Sequence, residues 1–116
     1  MEASIVARFL LVASTGEKGK SLLGLRWAIA AIERGWAEEV RVVLFGPVEE
    51  HVARGDPDYL EALERLRGLG VEPVLCERYA QAAGVLEELR GRGLTLGPVG
   101  EMIAELAGKG YTPLVF

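Results

Sequence analysis

Cys76 is the only cysteine among the 116 residues, and its position is compatible with thiol chemistry. It follows the apolar pair Val74-Leu75 and precedes a segment of helix-forming composition. The first turn of a helix stabilises an anion, so a thiol placed there can act as a nucleophile or as a sulfur carrier. The neighbouring Glu77 disfavours the thiolate and Arg78 favours it. A lone cysteine also often packs as a small apolar side chain, and position alone leaves both interpretations open.

A second candidate is the polar loop of residues 14–21, which follows an apolar run and ends in Gly19-Lys20-Ser21. A phosphate-binding loop ends in the same way, but it needs a glycine five residues before Gly19, where this chain has Ser14. We therefore expect no hydrolysis of nucleoside triphosphates. Two interpretations remain: a polar connection that starts a helix, or the wall of a small anion site that uses free amides at the helix start.

A third loop, Gly46-Pro47, follows another apolar run and offers no aspartate that could hold magnesium. Simple turn chemistry accounts for it. The carboxyl ends of parallel strands nevertheless meet at one edge of a sheet, where ligands bind. We therefore predict a common ligand rim around the reactive Cys76, formed by Ser14, Thr15, Gly16, Glu17, Gly46, Pro47 and Arg78.

The remaining residues that could do chemistry favour no metal or cofactor. His51, the only histidine, follows two glutamates in a polar segment, so a solvated position is expected. One histidine and one cysteine do not make an ordinary zinc site. The paired glutamates are interpreted as solvated faces: Glu38-Glu39, Glu49-Glu50 and Glu87-Glu88.

Short apolar runs alternate with helical segments, which is typical of a parallel sheet with crossover helices. The predicted strands cover residues 5–13, 40–45, 71–76, 94–96 and 111–116. The predicted helices cover residues 18–34, 57–69, 78–91 and 98–109. Asp56 and Pro57 mark a helix start, and Pro113 places the last strand at an edge of the sheet.

The first predicted helix is apolar on two sides. Leu22, Leu25, Ile29 and Ile32 can face the sheet, whereas Leu23, Trp27 and Ala30 face elsewhere. A helix of this kind needs a second burial partner. We interpret the second side as a subunit interface, with a crowded monomer core as the alternative.

Length and composition predict a single cytoplasmic domain over residues 1–116. The net charge of −4 argues against nucleic-acid binding. The apolar run of residues 5–13 is interrupted by Arg8, so we expect a buried strand there and not a signal peptide or a membrane span. The chain has no asparagine and much glutamate, arginine and leucine, a bias found in thermophiles or produced by high-GC codon usage.

The order of these segments resembles the DsrE/DsrF-like family of small sulfur-relay proteins. The segments that carry the resemblance are Leu10-Leu11-Val12 before Ser14-Thr15-Gly16-Glu17, Arg34-Gly35 after an apolar helix, Val42-Val43-Leu44-Phe45-Gly46-Pro47, Leu69-Gly70-Val71 before Cys76, Ala80 and Gly84-Val85 in the following helix, and Gly110-Tyr111. The match runs over nearly the whole chain.

The resemblance implies a three-layer α/β/α fold with a mainly parallel five-stranded sheet, assembled into dimers, trimers or hexamers. Active members of the family carry sulfur as a persulfide on a cysteine after the third strand, and Cys76 stands at that position. Since the chain has no second thiol, sulfur must pass to another protein or to a small thiol. The alternative function is a non-catalytic oligomeric module that binds a small anion or a protein partner, with Cys76 as a structural residue.

Overall fold

The computed structural model describes residues 7–116. Its strands are β1 (Arg8–Ala13), β2 (Glu39–Leu44), β3 (Val74–Cys76), β4 (Thr95–Gly97) and β5 (Thr112–Val115). Its helices are α1 (Lys18–Glu33), α2 (Val48–Ala53), α3 (Pro57–Gly68), α4 (Glu77–Ala83), α5 (Leu86–Gly91) and α6 (Val99–Gly108). The predicted first strand also included positions 5 and 6, which lie outside the described residues.

The five strands form one parallel sheet in the order β4-β3-β2-β1-β5. Successive side chains of a strand point to opposite faces, so Leu11 and Ala13 enter a core with α1 and α3, while Leu10 and Val12 pack with α6. Both faces of the sheet are therefore covered by helices. The segment order predicts the parallel sheet with crossover helices, and the three-layer α/β/α arrangement is the one that the resemblance implies.

Local signals placed several boundaries correctly. Asp56 caps α3 by accepting a hydrogen bond from the backbone N–H of Asp58, and Pro57 is the first helical residue. Pro113 lies in β5, which pairs only with β1 among the described strands and is an edge strand as predicted. At an edge, the missing N–H of proline costs no ladder hydrogen bond.

Two parts of the helix prediction are wrong. The single helix expected over residues 78–91 is two helices, because Gly84 takes the left-handed conformation (φ 73°) that ends α4. The helix α2 was not predicted at all. Its six residues are too few to show a helical period of apolar side chains.

The helix α1 buries the side expected to face the sheet: Leu22, Leu25 and Ile29 are buried, and Ile32 is half-buried. The opposite side is partly covered by the chain itself. Trp27 and Ala30 are half-buried, and the Trp27 ring lies edge-on to Phe9 at 5.2 Å between centroids. Leu23 stays 58% exposed. Among residues 7–116, no helix combines the length and apolarity needed to cross a membrane.

Candidate functional site

Cys76 lies at the junction between the sheet and a helix. It is the last residue of β3 and the N-cap of α4, and its Sγ accepts a hydrogen bond from the backbone N–H of Tyr79 at 3.5 Å. Its residue surface is 5% exposed, and it packs on the face of the sheet that α6 covers. The sequence therefore predicted its place at the helix start correctly.

A cavity of about 770 Å³ opens beside Cys76. Its walls are Phe45 at the end of β2, residues 76–79 at the start of α4, and residues 97–101 at the start of α6. This volume is in the range of small-molecule sites. The cavity forms at the carboxyl ends of β2, β3 and β4, the edge where parallel sheets bind ligands.

The start of α6 forms one wall of this cavity. Its N-cap residue is Pro98, which makes no side-chain capping hydrogen bond. The first N–H groups of a helix have no partner within the helix and favour negative charge nearby. The cavity therefore has a wall that favours an anion, next to the apolar side chains of Phe45 and Val99.

Charged and phenolic side chains surround the mouth of the cavity. Arg78, Glu77 and Glu101 line it and are exposed. The Tyr79 hydroxyl donates a hydrogen bond to Glu50 Oε2 at 2.5 Å, and this bond raises the pKa of Tyr79 to about 12. Tyr79 is therefore a neutral donor at physiological pH. Among residues 7–116, no group of three or more histidine, cysteine or acidic side chains is placed to hold a metal ion.

Glu49 is buried, which corrects the expectation that the Glu49-Glu50 pair is a solvated face. Its surface is 0% exposed, in the first turn of α2. The backbone N–H of Gly46 donates a hydrogen bond to Oε2 at 3.2 Å. Burial raises the pKa of Glu49 to about 8, although the backbone N–H groups of Gly46 and Cys76 both favour the ionised carboxylate. Its Oε1 makes no hydrogen bond of standard geometry within residues 7–116.

The predicted rim divides into two groups. Cys76 and Arg78 line the cavity. Gly46 does not line it, but the backbone N–H groups of Gly46 and Cys76 both act on the Glu49 carboxyl group. The other rim residues do not line it. They are Ser14, Thr15, Gly16, Glu17 and Pro47.

The loop before α1 is closed on itself. The Glu17 carboxylate accepts hydrogen bonds from the N–H groups of Gly19 and Lys20, both at 2.9 Å. Ser14 Oγ donates to the carbonyl oxygen of Phe45 at 2.7 Å. Glu17 therefore occupies the amides that the anion-site interpretation required to be free. This corrects that expectation and favours the alternative, a polar connection that starts a helix.

His51 is also not the solvated residue expected from its polar surroundings. Its Nε2 lies 2.7 Å from the carbonyl oxygen of Gly16, and its Nδ1 accepts a hydrogen bond from Arg54 at 2.9 Å. Because Nδ1 accepts, Nε2 carries the proton and donates to Gly16. The ring stacks on Tyr59 with centroids 5.3 Å apart. His51 holds the loop before α1 in place.

Several residues of the site were not found from the sequence. Phe45, Tyr79, Glu49 and residues 97–101 all required the strand order. Gly97-Pro98 was recognised as a helix start, but only the pairing of β3 with β4 places that start beside Cys76.

Comparison with known proteins supports the fold. No protein-family model matches the chain, and no curated protein matches it. The structure is similar to that of BT1422, a conserved protein of unknown function from Bacteroides thetaiotaomicron. The TM-score is 0.79 with 22% sequence identity, and the match covers 94% of each chain. At this level of identity, the similarity shows the α/β/α fold and carries no information on activity.

Proposed function

We propose that this protein accepts sulfane sulfur as a persulfide on Cys76 and passes it to an acceptor thiol. The observation that carries the proposal is the position of Cys76 in the wall of the 770 Å³ cavity, at the start of a helix. The resemblance of the segment order to sulfur-relay proteins supports the same chemistry. The protein would act without a cofactor or metal, in the cytoplasm, where thiols stay reduced.

The transfer consists of two thiol exchange steps. The Cys76 thiolate attacks the terminal sulfur of a donor persulfide, R–S–SH. A bond forms between Sγ and that sulfur, the donor S–S bond breaks, and the donor leaves as a thiolate. An acceptor thiolate then attacks the terminal sulfur on Cys76 and releases the Cys76 thiolate. Sulfane sulfur moves without a net change in redox state.

Groups around the cavity can stabilise the charged sulfur. The Tyr79 N–H donates to Sγ, and the uncapped start of α6 lies across the cavity. The Arg78 guanidinium lies at the mouth, where it can attract an anionic donor. Since Cys76 is 5% exposed, a donor must reach it through the cavity. A small persulfide, or the tip of a persulfide-bearing loop, fits that requirement.

Mass spectrometry of the intact protein tests the proposal. After incubation with polysulfide, thiosulfate or a sulfurtransferase that carries a persulfide, the wild type should gain about 32 Da. A reductant should remove the added sulfur atom. Cys76→Ser should gain nothing and remain folded. Arg78→Gln should load more slowly at low ionic strength, and Arg26→Gln, at an exposed arginine of α1 outside the cavity, serves as its control.

A wild type that gains no sulfur from any of these donors would contradict the proposal. If the thiol also resists alkylation in the native protein, the alternative of a binding module with a structural Cys76 takes its place. That module would bind a small anion or a protein partner.

We also propose that the protein works as a homo-oligomer. Leu23 on α1 is 58% exposed and Val115 on the edge strand β5 is 64% exposed, and both are large apolar side chains. Covering such a side chain is worth about 1.5–3 kcal/mol. Light scattering should give a mass above the 12.5 kDa of one chain, and Leu23→Glu should lower it without unfolding the monomer. A monomeric wild type at micromolar concentration would contradict this assignment.

A further inference from the structure

Glu49 is a buried acid that the transfer chemistry leaves without a role. It lies in the first turn of α2, and its side chain turns back toward the ends of β2 and β3. One carboxyl oxygen accepts from Gly46, and the other makes no hydrogen bond of standard geometry in the described part of the chain. A buried carboxyl oxygen without a partner costs free energy, so its retention needs an explanation.

Within residues 7–116, no cationic group compensates a charge on Glu49. The groups that act on its carboxyl are two backbone N–H groups, those of Gly46 and Cys76. His51, two residues along α2, directs its ring nitrogens to Gly16 and Arg54, and Arg54 is thereby engaged as well. The remaining facing groups are Glu50 and Tyr79, which bond to each other. An ionised Glu49 would therefore be a buried, unpaired negative charge.

A charge on Glu49 would face two parts of the site, the Tyr79 hydroxyl and the backbone of Cys76. The backbone N–H of Cys76 acts on the Glu49 carboxyl group, while its Sγ accepts from the Tyr79 N–H. Both groups are almost without contact with water. Charges that are close together in such an environment interact strongly, and two negative charges disfavour each other.

We propose that Glu49 is a positioning residue for the thiol chemistry, which holds a proton while Cys76 carries a negative charge and so couples sulfur transfer to pH. With Glu49 neutral, the thiolate or persulfide anion of Cys76 has no buried negative neighbour. When Glu49 ionises, the two charges repel and the Cys76 anion becomes less favourable. The inference rests on the proposed function, since it assigns a control to the same thiol.

The coupling is reciprocal and can be measured from either group. The first measurement is the rate of iodoacetamide alkylation against pH, for wild type and Glu49→Gln. If Glu49 ionises before Cys76, removal of the ionisable carboxyl should lower the pH of half-maximal rate by at least about half a unit. Glu88→Gln, on the exposed surface of α5, is the matched control and should reproduce the wild-type profile.

The second measurement does not depend on the folding of that variant. The titration of the Glu49 carboxyl is followed by ¹³C NMR in wild type and after Cys76 is blocked as a methyl disulfide with methyl methanethiosulfonate. If Cys76 ionises first, its loss as an anion should lower the pH at which Glu49 titrates. A shift at either group supports the coupling. Unchanged midpoints at both groups overturn it and leave Glu49 as a residue that only closes the start of α2.

No sulfur donor is used in these experiments, so their outcome is separate from that of the loading assay. If Glu49 and Cys76 are coupled but no sulfur is loaded, the role of Glu49 is supported and sulfur transfer is contradicted. If sulfur is loaded but the two groups are not coupled, sulfur transfer is supported and the role of Glu49 is contradicted.

Discussion

Two loops at the carboxyl edge of the sheet end in helix starts, and they differ in what occupies the amides there. Before α1, the Glu17 carboxylate accepts from the N–H groups of Gly19 and Lys20. Before α6, the N-cap residue Pro98 offers no side chain for capping. The first loop is therefore complete without a ligand, whereas the second lies beside a cavity of about 770 Å³.

The rest of each region follows the same contrast. Around the first loop, His51 donates to Gly16, and Lys18 forms ion pairs with Asp56 and Asp58 at 3.0 and 2.8 Å. On the side of Cys76, which lines the cavity, the Glu49 carboxyl approaches the Cys76 backbone, and its Oε1 lacks a standard hydrogen bond within residues 7–116. A polar motif is thus weak evidence of a site when its groups satisfy each other. Unsatisfied groups beside a cavity are stronger evidence.

Gly46 joins the two regions, and its substitution should cause the largest loss of stability. Its φ is 134°, and a Cβ would lie 2.9 Å from Ser14 Oγ and 3.0 Å from the Ser14 carbonyl oxygen. We expect Gly46→Ala to lower the free energy of unfolding by about 3 kcal/mol, from backbone strain and this contact. Urea denaturation measures the change.

Gly70→Ala provides the control for Gly46. Gly70 also has a positive φ, of 87°, but a Cβ there would meet no atom within 4 Å. It should therefore lose less stability than Gly46→Ala, because only the backbone strain is introduced. Equal losses would show that the contact with Ser14 contributes nothing, and would remove the steric link between the two regions.

Glu49 is the buried acid of the region around Cys76, and its raised pKa predicts how the stability of the protein depends on pH. The pKa of Glu49 in the folded protein is about 8, above its ordinary value of 4.5. The folded state therefore binds more protons between these values, and this contribution to stability is complete below pH 4.5 and lost as pH rises to about 8. The free energy of unfolding of Glu49→Gln should rise relative to that of wild type by about 1.4 kcal/mol for each pH unit in that window.

Denaturant unfolding at several pH values between 4 and 9 checks this expectation, with Glu88→Gln as the exposed control. The difference between Glu49→Gln and wild type should grow up to about pH 8 and stay constant above it. A difference in the free energy of unfolding that does not vary with pH would mean that Glu49 is ionised in the folded protein. The polar groups around Cys76 would then be as well compensated as those of the loop before α1.

Much of the fold could be predicted from the sequence because its signals are local. Apolar runs placed the strands, Asp56-Pro57 placed the start of α3, and Pro113 placed β5 at an edge. The position of Cys76 at a helix start was predicted in the same way. These features depend on residues adjacent in the chain.

The parts that sequence reasoning missed depend on residues distant in the chain. Glu49-Glu50 has the composition of a solvated pair, and only the approach of β3 to β2 buries Glu49 beside Cys76. Residues 97–101 meet Cys76 through the pairing of β3 with β4. The sequence predicts Glu17 as part of a ligand rim, because it cannot show that the carboxylate turns back onto its own helix.

The smallest predicted effect concerns the closure of the first loop. Glu17→Ala removes the carboxylate that caps α1 and leaves the N–H groups of Gly19 and Lys20 without this partner. Loss of a capping side chain typically costs about 1 kcal/mol.

Glu101→Ala is the control, in the first turn of α6. It removes an acidic side chain from a helix whose N-cap residue makes no side-chain hydrogen bond, and it should cost less than about 0.5 kcal/mol. Thermal or urea unfolding of the two variants compares the helix starts directly. Equal losses would mean that the charge of a glutamate near each helix start, and not capping, determines stability, and the distinction between a closed loop and an open one would fail.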